Sequence, residues 1–269
     1  MWHQQRMAAL DFEASDKNPS TARIVSCALI LVGGGLATDP RTWTVNPGVP
    51  QNPEAVKVHG ITDDYLAQHG MPALEAVGEI AKAVAEVVAG GTPLVGHNLG
   101  GYDLNLLNAE CARHLGDSLE GICRTPMTRV IDTMILDWYA APFRKRVSKD
   151  QGPYEMKTTA QTYGLGWDDE KAHEAAYDAL MSARAAWHMG NIAHLSAAER
   201  PEWVQRLRNS RGPYDRFDDL AGIDVDELHR RQTGWAAERA AGLQEHFRKT
   251  KPDTVIDGSW PLRLAGGAA

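Results

Sequence analysis

Asp11-Phe12-Glu13 closes a stretch, Arg6 to Glu13, whose alternating and then apolar residues read as a β-strand. Side chains at i and i+2 of a strand leave the same face, so Asp11 and Glu13 project together while Phe12 faces the other way. Two like charges at the end of an apolar strand are costly without a partner, and a divalent cation would relieve that cost. The plainer reading is a solvated strand end. A further carboxylate follows a polar, glycine-rich turn in Val95-Gly96-His97-Asn98-Leu99-Gly100-Gly101-Tyr102-Asp103. A strand, a turn and a helix start would carry Asp103 to the edge that holds Asp11, although the helix dipole also accounts for an Asp in a first turn. The third group is His173-Glu174-Ala175-Ala176-Tyr177-Asp178. Five residues of ideal helix rotate by about 500°, which leaves the two end side chains about 140° apart. His173 and Asp178 can therefore share a site only if His173 lies just before the helix and Asp178 within its first turns. The loop-like polarity of residues 167–172 permits that.

Taken together and in this order, the three groups resemble the DEDDh exonuclease family: a DxE first motif, an Asn-then-Asp second motif and an H-x-x-x-x-D third motif. The flanks are similar as well. Val58-His59-Gly60-Ile61-Thr62-Asp63-Asp64 resembles the family's HGI segment beside the terminal nucleotide, Val130-Ile131-Asp132-Thr133 its "DT" strand end, and residues 160–165 the segment ahead of the third motif. The resemblance spans about residues 6 to 195 and implies an α/β, RNase H-like fold with a five-stranded mixed sheet flanked by helices. It implies 3′→5′ exonuclease activity that releases nucleoside 5′-monophosphates, with Asp11, Glu13, Asp103 and Asp178 holding two Mg²⁺ ions, or Mn²⁺ in their place, and His173 as general base. It also points to Phe12, Ala14, Ser15, His59, Ile61 and Asn98 as contacts for the terminal nucleotide. Two departures stand out. One extra residue separates Asn98 from Asp103, and Ala14-Ser15-Asp16 stands where the family has two threonines and a glycine.

The elements that must position these groups follow from the pattern of apolar residues. Residues 23–32 and 41–45 read as two further strands, so the chain begins as an antiparallel meander with the glycines at 33–35 as a bend. Residues 73–89 carry apolar side chains at helical spacing and stop at Gly90-Gly91. A short strand at 93–96, a helix from 102 to 115, a strand at Val130-Ile131 and a helix capped by Asp132 come next. Residues 144–155, with Arg144-Lys145-Arg146, read as a surface loop, and Asp137 as a solvated helix residue. Helices are expected at 157–163, 173–195, 197–208 and 225–249, and residues 264–269 read as a disordered tail. Domain limits are placed at 1–196 for the exonuclease unit and 197–269 for a helical extension packed on it. Trp235 and Trp260 read as its packing anchors.

The bulk properties narrow the class. A net charge of −7 argues against non-specific coating of nucleic acid, which depends on many Lys and Arg contacts to phosphates. It leaves room for an enzyme that touches a few terminal nucleotides. Cys27, Cys111 and Cys123 form no CxxC pair, so neither a structural zinc site nor a disulfide framework is expected. With no apolar leader and no membrane-length run, the expected location is cytoplasmic, with nucleic-acid 3′ ends as the partner and no membrane. No segment identifies a replication or repair partner, which favours a stand-alone trimming enzyme. Single-stranded DNA is the favoured substrate. RNA, or short oligonucleotides, is the alternative within enzymes, and an inactive nucleic-acid-binding or polymerase-docking module is the alternative outside them.

Overall fold

A computed structural model describes residues 1–209, 212–213, 215–251 and 253–263. Strands β1 (Met7–Ala14), β2 (Ile24–Val32) and β3 (Asp39–Asn46) form the expected antiparallel meander. Then come α1 (Pro53–His59), α2 (Asp63–His69), β4 (Met71–Pro72), α3 (Ala73–Ala89), β5 (Leu94–Gly96), α4 (Asp103–Leu115), α5 (Leu119–Cys123) and β6 (Val130–Asp132). The chain continues through α6 (Thr133–Ala140), α7 (Met156–Thr162), α8 (Ala175–His194), α9 (Glu202–Gln205), the small hairpin of β7 (Arg208–Asn209) and β8 (Gly212–Pro213), and α10 (Val225–Arg248).

The main sheet runs β4-β3-β2-β1-β5-β6, with β5 and β6 parallel to β1. It has six strands rather than the expected five. The added member, β4, pairs Val45 with Met71 and Asn46 with Pro72. Two residues carry no periodicity to read, and an edge is where a proline, lacking an N–H, is tolerated in a sheet. Helices flank the sheet: α8 lies along β1, β2 and β5, and α3 packs with α4 and α5 and against β2 and β3. The buried face of α3 (Ala76, Val77, Ile80, Val84, Val87) fits its amphipathic sequence.

The extension joins this core. Leu228 and Trp235 of α10 are buried, and Trp235 stacks on Tyr139 of α6 at 3.7 Å between ring centroids. Gln232, fully buried, lies on the sheet edge: its Nε2 donates to the Val130 carbonyl (2.8 Å) and its Oε1 accepts the Asp132 N–H (2.7 Å). One side chain thus does for β6 what a neighbouring strand would do. Helix 197–208 is reduced to Glu202–Gln205, because Pro201 cannot donate within a helix and stands as its N-cap. Residues 264–269, read as a tail, lie outside the described residues. Cys27, Cys111 and Cys123 are free and buried. Among the described residues no helix is long and apolar enough to cross a membrane.

Two expectations about charge are corrected. Asp137 is not solvated. Its side chain is fully buried and accepts from Thr159 Oγ1 (2.8 Å) and Tyr163 Oη (3.0 Å), while Arg144 forms an ion pair with it. The run Arg144-Lys145-Arg146 is therefore not a uniformly solvated loop, because α7 and the segment before it fold over α6 and draw Arg144 inward.

Candidate active site

The end of β1 gathers the carboxylates. Asp11 and Glu13 share one face, and a β-bulge follows between Glu13 and Ala14. Phe12 turns into the core, and its backbone N–H donates to Asp103 Oδ1 at 3.2 Å. Asp103 is the first residue of α4, so the longer turn before it still delivers its carboxylate to β1. Asn98 absorbs the turn: it adopts a left-handed φ of 64°, and its carbonyl accepts from the N–H groups of Gly101 and Tyr102.

His173 and Asp178 meet as their spacing required. α8 begins at Ala175, so His173 precedes the helix while Asp178 lies in its first turn. His173 takes a φ of 66°, which bends the chain back and lets its N–H donate to Asp178 Oδ2 at 3.1 Å. Potential ligand atoms of Glu13, His173 and Asp178 all lie within 4.8 Å of one another. Asp178 Oδ1 is buried with no hydrogen-bond partner among the described residues.

The electrostatics show what this crowding costs. Burial, then the charges of Asp103, Glu13 and Asp178, holds the Asp11 carboxyl well above the ordinary range. Burial, then Asp178 and Asp103, pushes Glu13 up to about 9. Asp178 rises to about 6, mainly by burial, against the opposing pull of the His173 N–H and ring. Asp103 is raised by burial and by Asp132, although its own N–H and that of Phe12 favour its charged form. Four buried acids, of which Asp103 and Asp178 both raise Asp11 and Glu13, are a poor arrangement for stability and a good one for binding cations.

The remaining candidates divide. His59 ends α1, and its Nδ1 accepts the Ile61 N–H at 3.0 Å. Its ring lies beside the Ala14 carbonyl, its Nε2 buried without a hydrogen bond of ordinary geometry among the described residues. Burial lowers the His59 pKa, the Ala14 carbonyl opposes that, and nearby His173 adds to it. Ala14 and Ile61 are half-buried nearby. Ser15 is buried and its polar groups are engaged inside the fold: its Oγ accepts the Arg23 N–H and its carbonyl the Asn52 N–H. Neither Ser15 nor the Phe12 ring is brought to an open surface.

A cleft of about 670 Å³ opens from His173 and Asp178 between His97, Gln151, Lys157 and Trp167. None of these four was singled out from the sequence. His97 stood beside Asn98 in the second motif without being given a role, Trp167 was an aromatic in the polar stretch ahead of the third motif, and Gln151 and Lys157 carried no signal. Asp132 does more than the expected capping. One carboxylate accepts the N–H groups of Met134 (3.0 Å), Asn98 (2.9 Å) and Gly100 (3.1 Å), so it ties β6 to the turn that carries Asp103.

Residues 8–186 match the family model described as the RNase T exonuclease domain. The chain belongs to the RNase T exonuclease family. This is a family of DEDD 3′–5′ exonucleases, hydrolases of nucleic acid that work with divalent metal ions. The structure of the chain is similar to that of E. coli exonuclease I in complex with a 5cy-dT13 oligonucleotide, with a TM-score of 0.55 at 16% identity over 70% of this chain and 41% of that one. A product-bound exonuclease I gives a TM-score of 0.57 at 15% identity over 70% of this chain and 44% of that one. The chain thus spans less than half the length of these neighbours, and at such identity the likeness is one of fold.

Proposed function

We propose that this exonuclease removes nucleoside 5′-monophosphates from the 3′ end of single-stranded DNA, with Asp11, Glu13, Asp103 and Asp178 holding two Mg²⁺ ions and His173 acting as general base. The observation that carries this reading is the crowding of Asp103 and Asp178 on Asp11 and Glu13 at the end of β1, with one oxygen of Asp178 buried and unpaired among the described residues. That donor set fits a hard cation: carboxylate oxygens suit Mg²⁺ or Mn²⁺, and thiolates are absent from the group. When bound, such ions supply charge to orient the attacking water and to stabilise the leaving oxygen.

The protein's own groups account for the rest. His173 is exposed at the rim of the cleft, so its ring can accept a proton from the attacking water. The water oxygen forms a bond to the phosphorus of the last phosphodiester. The bond from phosphorus to the 3′-oxygen of the penultimate nucleotide breaks, and that oxygen leaves with a proton. The bend at His173 fixes the ring beside Asp178, and burial of Asp11, Glu13 and Asp103 keeps their side chains from reorganising during the reaction. Trp167 on the cleft wall offers a stacking face to the strand, beside Lys157, whose ammonium pairs with Asp169 at 2.7 Å. A preference for single strands accords with the oligonucleotide complex of the E. coli neighbour.

The test is digestion of matched 3′-labelled single-stranded DNA, single-stranded RNA and mismatched duplex, with Mg²⁺ and with EDTA. Mononucleotide release fastest from DNA and dependent on Mg²⁺ is expected, with Asp11→Ala and His173→Ala both inactive. Wild-type-like digestion by either variant overturns the assignment, and faster release from RNA overturns the choice of substrate.

A further inference from the structure

The turn that delivers Asp103 is closed from the far end of the chain. Beyond α10, residues 258–263 return to the start of α4. Arg263 N donates to Asn105 Oδ1 (2.8 Å), and Asn105 Nδ2 donates to the Gly100 carbonyl (2.7 Å) and the Pro261 carbonyl (3.4 Å). The Arg263 guanidinium donates to the Gly101 carbonyl at 3.3 Å. Trp260 packs directly on Gly100: a Cβ there would stand 2.0 Å from the indole Nε1 and 2.3 Å from Cδ1. The backbone of Gly100 is not in the left-handed region, so it is the indole, and not the fold of the turn, that requires glycine at this position. At Gly101 the obstacle is the turn itself, since a Cβ would lie 2.1 Å from Asn98 Oδ1.

The same turn is also held by Asp132, whose carboxylate lies near the Trp260 indole and accepts the Asn98 and Gly100 N–H groups, and whose own N–H is bound by Gln232 of α10. Residues 258–263 thus touch the six residues 98–103 directly, and Gln232 of α10 reaches them through Asp132. Those six residues include the one by which the turn exceeds the family's usual spacing.

We propose that residues 258–263 form a positioning strap: they fix the Asn98–Asp103 turn so that the Asp103 carboxylate stands among the cation-holding groups at the end of β1, with Trp260 and Arg263 as positioning residues. The inference rests on Asp103 being one of those groups. A strap that positions a ligand acts on metal affinity and turnover, whereas one that merely stabilises the fold acts on unfolding.

The experiment compares full-length wild type, Trp260→Ala, Trp260→Phe, Arg263→Ala, Gly100→Ala and the double variant Gly100→Ala/Trp260→Ala. Mn²⁺ affinity is read by calorimetry without nucleic acid, kcat and KM on a single-stranded oligonucleotide, and the urea midpoint alongside. Trp260→Ala and Arg263→Ala are expected to weaken Mn²⁺ binding about 10–100-fold, the range for groups that orient metal ligands. They should lower kcat and leave KM for the strand unchanged, while Trp260→Phe stays near wild type. Gly100→Ala should share the defect by displacing the indole, and adding Trp260→Ala should worsen it little, because both changes break the same contact. Wild-type Mn²⁺ affinity in both Trp260→Ala and Arg263→Ala overturns the strap, as does simple additivity of Gly100→Ala and Trp260→Ala. Should Trp260→Ala not fold, Arg263→Ala alone decides, by the same criteria. Asp103→Asn separates the two levels. If it binds Mn²⁺ and cleaves as wild type does, the placement of Asp103 fails; if it is inactive while the strap variants are normal, only the strap fails.

Discussion

Replacing Gln232 by leucine removes two hydrogen bonds from the interior while nearly preserving volume. The side chain is fully buried, and β6 beneath it is 0–1% exposed, so water cannot take the place of the lost amide. The Val130 carbonyl and the Asp132 N–H would both be left unpaired. An unsatisfied buried group costs about 1–3 kcal/mol, so the pair should cost roughly 2–6 kcal/mol. Against a typical stability of about 5–15 kcal/mol this is severe but compatible with folding. At about 2–4 °C per kcal/mol for a chain of this size class, the thermal midpoint should fall by roughly 5–20 °C. Urea unfolding at neutral pH gives the free energy directly. Gln232→Glu keeps an acceptor for Asp132 but loses the donor to Val130 and buries a charge, so it should be no better than leucine. Thr233→Ala, one residue on and exposed, should change stability by under about 0.5 kcal/mol. A Gln232→Leu protein within about 0.5 kcal/mol of wild type would refute the view that this amide completes the sheet edge.

Two further outcomes follow from buried and crowded charge. His97 sits between Thr133 Oγ1 and the Tyr154 carbonyl, each 2.8 Å from a ring nitrogen, and burial, reinforced by Arg144 and Arg239, lowers its pKa from 6.5 to about 4. A histidine with a depressed folded-state pKa contributes stability that is present above 6.5 and lost as pH falls toward 4. The full interval is worth up to about 3 kcal/mol at 1.36 kcal/mol per pH unit. Urea midpoints at pH 7 and pH 4.5 should therefore differ less in His97→Gln than in wild type, and an equal difference would remove His97 from the account. Asp11→Asn relieves like-charge repulsion at the end of β1, so it should melt higher than wild type in EDTA, gain nothing from added Mg²⁺, and lose more than about 100-fold in activity. A lower midpoint in EDTA would mean that the carboxylate is structural.

Local pattern carried most of the fold, and contacts between distant residues carried what the pattern missed. α3 was legible to the residue because its apolar spacing and its terminal glycines agree. Helix geometry required His173 to lie ahead of the helix if it was to share a site with Asp178, whereas the apolar pattern began that helix at residue 173; it begins at Ala175. β4 was not legible, because its two residues are defined by pairing with β3. Asp137 looked solvated because its partners, Thr159 and Tyr163, lie 22 and 26 residues away on a helix that the helical pattern of α6 does not anticipate. Gln232 shows the same limit more sharply, with partners about 100 residues distant and a polar side chain on the face read as apolar. At the site, residue types and order pointed to the carboxylates, but the engagement of Ser15 by Arg23 and Asn52 depends on how the β1–β2 connection folds, which no motif encodes.

The most direct test of the central claim follows a 5′-labelled single strand in Mg²⁺ with wild type and with Asp178→Asn, the carboxylate whose buried oxygen has no partner among the described residues. The account predicts a ladder that shortens one nucleotide at a time from the 3′ end, stops on chelation, and is absent in the variant. Immediate release of labelled mononucleotide, which marks attack from the 5′ end, or an unchanged ladder from Asp178→Asn would contradict it.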